Sequence, residues 1–282
     1  MALFNMAKKP NSFPNLKKSY KGLYPFRLCT TSFIHPAGYA DNVAIIGPSV
    51  DEIELLFFES LESDPGPLKK EVRRLHQLQN ELEVSFNVHL PADVSPGHRD
   101  RHRREAAVHA LKAVIDLTAP LSPSTFTLHL PFEGDPSEAA NVNRWQERTT
   151  QSVNALLDSG VKPQTLSIET LDYPFDLVEP IVKELDLSVC LDIGHCIVHG
   201  FDYVSLFSRL YERIVILHIH GVDGDKDHLS LDRLESQHAA SILKILKQFK
   251  GVASLEVFSY GHLKPSLEYL EENYQPANLK IH

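Results

Sequence analysis

The stretch that decides the fold is Val189-Cys190-Leu191-Asp192-Ile193-Gly194-His195-Cys196. Apolar residues alternate with Cys190 and Asp192, which is the pattern of a β-strand. Gly194 is predicted to end that strand, because glycine turns the chain without steric cost. Asp192 and His195 flank the turn, so a carboxylate and an imidazole leave one strand end together. This pair suits a divalent metal, and a buried aspartate beside a loop histidine is an equal alternative for this stretch alone.

The rhythm of a short apolar strand followed by a helix extends in both directions from this stretch. Strands are predicted at 26–33, 52–58, 84–90, 126–130, 165–170, 189–193, 214–220 and 253–258. Most of the segments that follow them predict helices with one apolar side, the fourth opened by Asp135-Pro136 and the last running from Pro265 to Tyr274. Eight such strands in one domain predict an α/β fold, a (β/α)8 TIM barrel. A doubly wound sheet is the alternative, but it usually has a glycine-rich first turn, which is absent here.

Composition agrees with one soluble domain. The chain has 282 residues, of which 43% are hydrophobic, enough to bury one large core. Residues 1–24 carry five lysines among scattered prolines and are predicted to be a flexible basic N-terminal tail, whereas 25–282 are predicted to be a single barrel domain. The net charge of −9 argues against a general nucleic-acid binder. Three cysteines, no signal peptide and no membrane-length apolar run predict a cytoplasmic protein without membrane contact.

Six consecutive predicted strands place ionisable groups on the face toward the barrel interior, near the carboxyl end. In strand 84–90, for example, apolar residues alternate with Ser85, Asn87 and His89. The whole set comprises His89, His129, Glu169, Asp192, His218 with His220, and Glu256. Because buried charges without partners are costly, a metal that satisfies the set at once is favoured over separate core residues. Mixed carboxylates and imidazoles suit zinc, manganese or iron(II), and their number allows one to three ions.

Polar residues beyond the strand ends are candidates for substrate contacts. The run 98–104 holds Arg99 and Arg103, which are placed to bind a substrate phosphate; a solvated helix face is the alternative. Glu54 and Glu59 are candidates to line the mouth near the second strand, Glu59 as a substrate contact.

A separate candidate follows the seventh strand. The segment from Gly221 to His228 is rich in aspartate but is too short for a calcium-binding EF-hand and lacks its closing glutamate. A solvated turn explains its aspartates equally well. His228 is predicted to return to the metal site.

These residues resemble the xylose-isomerase-like barrel superfamily, which includes endonuclease IV and sugar isomerases and epimerases. Its pattern of Glu, Asp-x-x-His, His and Glu at the ends of strands five to eight is matched here by Glu169, Asp192 with His195, His220 and Glu256. His89 and His129 match two further histidines of endonuclease IV. Lys226 stands two residues before His228, so the Asp-x-His of endonuclease IV is broken at this point.

A closer resemblance is to the CbiR-type cobamide-remodelling phosphodiesterases, over nearly all of residues 25–260. It rests on several strings taken together, namely those at 24–27, 31–34, 50–60, 88–91, 191–195, 217–221 and 227–231. It implies a metal-dependent hydrolase that cleaves the phosphodiester of the cobamide nucleotide loop and leaves cobinamide phosphate and an α-riboside. The implied partner is a corrinoid (cobamide) substrate and not a nucleic acid.

The resemblance and the residue chemistry together suggest individual roles. The core metal ligands would be Glu169, Asp192, His220 and Glu256, and the further ligands or phosphate contacts would be His89, His129, His195 and His218. The catalytic residues would be His228, Glu256 and His195, with His228 or Glu256 moving the proton.

Other functions fit the same barrel. A sugar (phosphate) isomerase or epimerase would use Glu169 and Glu256 as paired acid and base across one metal, but the extra histidines favour phosphoester chemistry. An endonuclease IV-like DNA-repair enzyme is less favoured, because it needs a basic surface around the mouth. A non-enzymatic corrinoid- or metal-binding module would not need so many acid–base groups on inner strand faces.

Overall fold

The structure is a computed structural model that describes residues 13–61 and 66–274. The strands within these ranges are β1 (Arg27–Thr31), β2 (Glu52–Leu56), β3 (Ser85–His89), β4 (Phe126–Leu128), β5 (Leu166–Glu169), β6 (Ser188–Asp192), β7 (Ile214–Ile219), β8 (Gly221–Asp223), β9 (Lys226–Leu229) and β10 (Val252–Leu255). The α-helices are α1 (Tyr39–Ile46), α2 (Gly66–Leu82), α3 (Arg101–Thr118), α4 (Ala139–Leu157), α5 (Glu179–Glu184), α6 (Ile193–Val198), α7 (Tyr203–Leu210), α8 (Ser236–Gln248) and α9 (Tyr260–Asn273).

Eight parallel strands close into a barrel in the order β1-β10-β7-β6-β5-β4-β3-β2. The predicted (β/α)8 barrel is therefore confirmed. Strands β8 and β9 form a separate antiparallel hairpin directly after β7. The parallel register brings the carboxyl ends of the strands to one mouth, and it pairs Asp192 of β6 with His218 of β7.

Side chains of alternate strand positions divide between the two faces of the barrel wall. Phe86 and Val88 of β3 are fully buried in the apolar layer that also contains Leu111 of α3. Asn87 and His89 are buried as well, but they contact polar groups across the barrel interior. Buried polar side chains need hydrogen-bond partners, because burial without them is costly. The hydrogen bonds across the barrel interior therefore fix the positions of the side chains that form the site.

Two helix starts differ from the sequence prediction. Helix α4 begins at Ala139 and not at Asp135, because the Asp135 carboxylate accepts the Ser137 backbone N–H and closes a turn of its own. Helix α9 begins at Tyr260 and contains Pro265, because the Ser259 side chain caps it by accepting the His262 N–H.

Residues 1–12 of the predicted basic tail, and residues 275–282, lie outside the described residues. Residues 13–24 lie against the barrel, where Tyr20 is buried and its backbone N–H donates to Ser49 O at 2.8 Å. All three cysteines are buried free thiols. Among the described helices, none has the length and apolar character that a membrane-spanning helix needs.

A single buried carboxylate, that of Glu52, lies at the start of β2, away from the mouth. The fully buried Glu52 carboxylate accepts hydrogen bonds from Ser85 Oγ at 2.7 Å, Asn87 Nδ2 at 2.9 Å and Ser124 Oγ at 2.5 Å. Arg27 Nε approaches it at 3.3 Å from the exposed side. These donors compensate the burial of the charge and tie three strands together at this end.

Replacement of Glu52 by alanine is expected to lower the free energy of unfolding by about 3 kcal/mol, because buried donors on β3 and beside β4 lose their acceptor. Urea denaturation measures this change. The control is Glu81→Ala on α2, where an exposed carboxylate 3.4 Å from Arg74 is removed and a change below about 1 kcal/mol is expected. Equal losses in the two variants would contradict the assigned role.

Candidate metal centre

Four residues from neighbouring strand ends converge at the mouth of the barrel. Glu169, Asp192, His218 and Glu256 each offer one ligand atom, and these atoms all lie within 4.8 Å of one another. His218 Nδ1 lies 3.1 Å from Glu256 Oε2, 3.5 Å from Glu169 Oε1 and 3.8 Å from Asp192 Oδ2. All four residues are buried. This four-residue group, the quartet, contains His218 in the place where the sequence suggested His220.

A second group uses the other oxygen of Glu169. His89 Nε2 and His129 Nε2 lie 3.1 Å and 2.9 Å from Glu169 Oε2, and these three residues form a separate cluster within the same 4.8 Å limit. Glu169 therefore faces the quartet with Oε1 and the two histidines with Oε2. A carboxylate in this position can bridge two metal ions.

Three histidines form a third group on the other side of the quartet, namely His195, His220 and His228. His195 Nδ1 lies 3.3 Å from Asp192 Oδ2, and the His220 and His228 rings lie 4.3 Å apart between centroids. Cys190 joins Glu169 and His218 in a further cluster beneath the quartet. Burial raises the pKa of the Cys190 thiol well above its usual value, so without a metal the thiol is protonated.

Unpaired atoms test whether these residues fit a metal. Among the described residues, buried side-chain atoms without a hydrogen-bond partner include Glu169 Oε1, Asp192 Oδ2, His218 Nδ1 and Glu256 Oε2. One such atom comes from each member of the quartet. Buried polar atoms normally have partners, and a divalent cation bound by oxygen and nitrogen would supply one to all four atoms. The residues present therefore fit a divalent metal.

The charges of the cluster balance one another without a metal. Burial would raise the pKa of Glu169, but the positive charges of His129 and His218 outweigh burial and hold it well below its usual value. Burial would lower the pKa of His89, but its hydrogen bond to Glu169 and the charge of Glu169 raise it to about 9. Protons on the imidazoles thus neutralise the carboxylates, and a bound metal would replace those protons.

Glu54 fixes the orientation of His218 from below. His218 Nε2–H donates to Glu54 Oε1 at 3.0 Å, and Ser254 Oγ donates to Glu54 Oε2 at 2.7 Å. Because Glu54 keeps a hydrogen on Nε2, loss of the second proton on metal binding would leave the Nδ1 lone pair directed to the quartet. Such a carboxylate behind a ligand histidine sets its tautomer and raises its basicity. The sequence suggested that Glu54 lines the mouth, which is wrong: Glu54 is fully buried beneath the site.

His220 is oriented differently from His218. Its Nδ1 accepts the backbone N–H of His228 at 2.9 Å, so the neutral imidazole carries its proton on Nε2. Nε2 lies 3.3 Å from Asp192 Oδ1. In this tautomer Nε2 carries the hydrogen but makes no hydrogen bond, so it is a further buried atom without a partner beside the quartet. The ligand and catalytic roles of the individual histidines stay predictions.

Gly194 has a different role from the predicted one. Strand β6 ends at Asp192, whose side chain accepts the His195 N–H at 2.7 Å and caps α6, and Gly194 lies within that helix. A Cβ on Gly194 would overlap the His220 ring at Cε1. Glycine is required here because the imidazole of His220 packs directly on the backbone.

The β8–β9 hairpin carries His228 back to the site, as the sequence suggested. His228 has a left-handed backbone with φ of 50°, and its Nδ1–H donates to the Glu256 carbonyl at 3.1 Å. This leaves the Nε2 lone pair of the neutral ring free. Non-glycine residues adopt this conformation mainly where surrounding contacts impose it, often at functional sites.

The predicted substrate contacts are spread over the rim. Glu59 is exposed two residues beyond Phe57 in the loop that follows β2, and Arg99 and Arg103 are exposed around the start of α3. Arg103 Nη1 lies 3.4 Å from His98 Nε2. None of the three lies in the clusters formed by the described carboxylates and histidines, so their substrate roles stay predictions.

An aromatic wall at the mouth escaped the sequence analysis. Phe33, Phe58 and Phe258 follow three adjacent barrel strands, β1, β2 and β10. The ring centroid of Phe58 lies 5.4 Å from that of Phe33 and 5.7 Å from that of Phe258. Phe33 is 41% exposed and Phe58 is 46% exposed. Phe258 contacts the His228 ring at 4.6 Å. The aromatic wall is thus an open apolar surface that is continuous with the histidine cluster.

The family follows from the sequence over most of its length. The model of the xylose isomerase-like TIM barrel family matches residues 41–275. The chain therefore belongs to the xylose isomerase-like TIM barrel family, and the predicted superfamily is confirmed. No curated protein sequence matches the chain.

Solved structures of the same fold include several enzymes. A D-tagatose 3-epimerase-like protein is 20% identical with a TM-score of 0.71, over 88% of this chain and 96% of that chain. A D-allulose 3-epimerase from Methylomonas sp., in complex with D-allulose, is 14% identical with a TM-score of 0.65, over 88% and 97%. Endonuclease IV from Thermus thermophilus is 18% identical with a TM-score of 0.63, over 87% and 99%. At these identities the similarity establishes the fold alone.

Substitution of Asp192 by alanine is expected to abolish metal binding at the quartet while the fold is retained. The variant also removes the cap of α6, which is expected to cost about 1 kcal/mol of unfolding free energy. Metal content per chain by elemental analysis and urea denaturation measure the two effects. Asp192→Asn is the matched control, since asparagine keeps the cap but not the charge. Normal metal content in the alanine variant would refute the assignment.

Substitution of Glu54 by glutamine is expected to weaken metal affinity by about 10–100-fold, because His218 loses its anionic partner while the side-chain volume is kept. Competition with a chromophoric chelator measures the affinity. Glu52→Gln is the matched control: it lies two residues earlier on the same strand and is equally buried, but it contacts no histidine of the site. If both variants bind metal like the wild type, Glu54 does not position His218.

Proposed function

We propose that this chain is a metal-dependent phosphodiesterase that hydrolyses the phosphodiester of the cobamide nucleotide loop. The products would be cobinamide phosphate and an α-riboside, which would let a cell rebuild the cofactor with another lower base. The observation that carries the proposal is the set of three adjoining ligand groups, two of which share Glu169.

Multiple adjoining sites favour phosphoester chemistry. When bound, divalent metals lower the pKa of water and neutralise charge on the attacking and leaving oxygens of an in-line displacement. An isomerase needs only the quartet, whereas His89 and His129 add a second group around the other oxygen of Glu169. His195 and His228 add imidazoles beyond Asp192. The mouth thus holds more histidines than one metal site needs, and this supports a phosphodiester as the group that is cleaved.

Residues of this chain would divide the remaining work. His89, His129, Glu169, Asp192, His218 and Glu256 would hold the metals. His220, whose Nε2 lies 3.3 Å from Asp192 Oδ1, would support that carboxylate by its charge when protonated. His228, with its Nε2 free, would take the proton of the attacking water or return one to the leaving riboside oxygen.

The aromatic wall supports a large substrate with an apolar, planar part. Phe58 and Phe33 offer exposed ring faces and edges beside the metal centre, where an aromatic base can stack or pack edge to face. A cobamide carries such a base on the riboside next to the phosphodiester. The strings shared with the cobamide-remodelling phosphodiesterases point to the same substrate.

A sugar epimerase is the second candidate. Glu169 and Glu256 both present an unpaired oxygen to the quartet, which is suitable for an acid and a base on opposite sides of one metal-bound sugar. Two of the structural neighbours described above bear epimerase names. An abasic-site endonuclease has less support, because the chain carries a net charge of −9.

The full chain, reconstituted anoxically and separately with iron(II), manganese and zinc, is expected to convert adenosylcobalamin into adenosylcobinamide phosphate and an α-riboside, as identified by mass spectrometry. Hydrolysis in water enriched in heavy oxygen is expected to label the cobinamide phosphate, because water attacks phosphorus and the riboside oxygen leaves. Asp192→Ala is the inactive control. Intact cobalamin with all three metals would exclude the cobamide reaction, and epimerisation of free ketoses in the same preparations would establish the second candidate.

A further inference from the structure

A group of arginines on the rim of the mouth is not used by the proposed chemistry. Arg99, Arg144 and Arg148 line one cavity of about 150 Å³, together with Asn141 and Glu133. Arg99 lies in the loop after β3, and the other four residues lie in or before the first half of α4. We propose that this cavity, the arginine pocket, is a binding site for a phosphoryl group, separate from the metal centre.

Arg144 and Arg148 have neutral hydrogen-bond partners, but no arginine of the pocket has a carboxylate partner among the described residues; Arg144 Nη2 donates to Asn141 Oδ1 at 2.5 Å. In the described ranges, none of its three guanidinium groups has a carboxylate oxygen within 4.0 Å, whereas the guanidinium groups of Arg101 and Arg213 are paired with Glu105 and Asp186. The chain has 37 acidic residues against 28 basic ones, so unpaired arginines are not a result of a shortage of acids. Three like charges around one space repel one another unless an anion occupies it.

The lining acid does not cancel this charge. Glu133 is about half exposed, and its Oε2 lies 4.0 Å from His98 Nε2. The lining therefore keeps a net positive charge of two. Burial lowers the pKa of the Arg148 guanidinium, and the neighbouring charges of Arg104, Arg99 and Arg144 lower it further, which is the effect expected of a crowded cationic site.

The walls of the arginine pocket are held in place by direct packing. Arg148 Nε donates to Gly97 O at 2.9 Å, which joins α4 to the loop that carries Arg99. A Cβ on Gly97 would overlap Trp145 Nε1, so this loop sits directly on the helix. Ser152 Oγ adds a hydrogen bond to Pro96 O at 2.8 Å. The backbone that carries the arginines and the Arg148 side chain are therefore held in place, which lowers the entropic cost of binding.

The chemistry of the lining selects the ligand. Guanidinium groups bind phosphoryl oxygens through paired N–H donors, and three of them around one cavity suit a tetrahedral anion with two negative charges. A cavity of about 150 Å³ has room for such a group, since a water molecule takes about 30 Å³. Glu133 lies four residues beyond His129, so the Cα atoms of these two residues are at most roughly 14 Å apart.

The test measures phosphate binding to the full-length, metal-loaded protein by isothermal titration calorimetry. Arg144→Met and Arg99→Met are each expected to raise the Kd for inorganic phosphate about tenfold. Both residues are exposed and neither has a carboxylate partner in the described ranges, so folding should be unaffected. Arg101→Met is the matched control, because it removes an equal charge nearby from an arginine that is already paired with Glu105. The same comparison in the Asp192→Ala background separates this binding from any binding at the metal centre.

A second arm identifies the source of the phosphoryl group. Ribose 5-phosphate that binds more tightly than inorganic phosphate, with the difference lost in Arg144→Met, would assign the arginine pocket to a phosphorylated organic molecule. Equal binding of the two probes, with the same loss, would assign it to free phosphate. Wild-type affinity in both arginine variants, an equal loss in Arg101→Met, or no binding of either probe would overturn the proposal. Because binding is measured without turnover, these outcomes do not depend on the cobamide reaction.

Discussion

The mouth of the barrel depends on one carboxylate, that of Glu169. Its Oε2 accepts His89 and His129, and its Oε1 faces His218 and His195 at 3.5 Å each. A fully buried carboxylate would be costly on its own, and the surrounding imidazoles compensate that cost by carrying protons. The same arrangement suits a metal site, since a divalent cation that binds there would replace those protons.

The barrel interior contains carboxylates at successive depths, and each depth has different hydrogen-bond partners. Near the start of β2, Glu52 is satisfied by three neutral donors and by the nearby Arg27 guanidinium, so it contributes to stability and needs no further partner. Two residues further along the strand, Glu54 holds His218 Nε2–H and Ser254. At the strand ends, one atom of each quartet member has no hydrogen-bond partner among the described residues. Among these carboxylates, atoms without a hydrogen-bond partner therefore lie nearest the mouth, which is where a ligand can enter.

Much of this was predictable from the strands. The alternation of apolar and polar residues identified Glu169, Asp192 and Glu256 as inward-facing, because side chains alternate strictly between the faces of a strand. The rule does not give depth along the barrel axis, and His218 and His220 share a face, so the choice between them needed the structure. Gly194 was misjudged for a related reason: a sequence does not distinguish a glycine that turns the chain from one that admits a neighbouring ring.

Features that depend on closure of the barrel could not be read from the chain. Phe33, Phe58 and Phe258 are distant in sequence, and they form one wall only because β1 pairs with both β2 and β10. Arg99 and Arg144 meet because Gly97 admits the close approach of its loop to α4. The closed mouth is therefore polarised, with an apolar wall over β10, β1 and β2, acids and imidazoles at the centre, and guanidinium groups beyond β3 and β4.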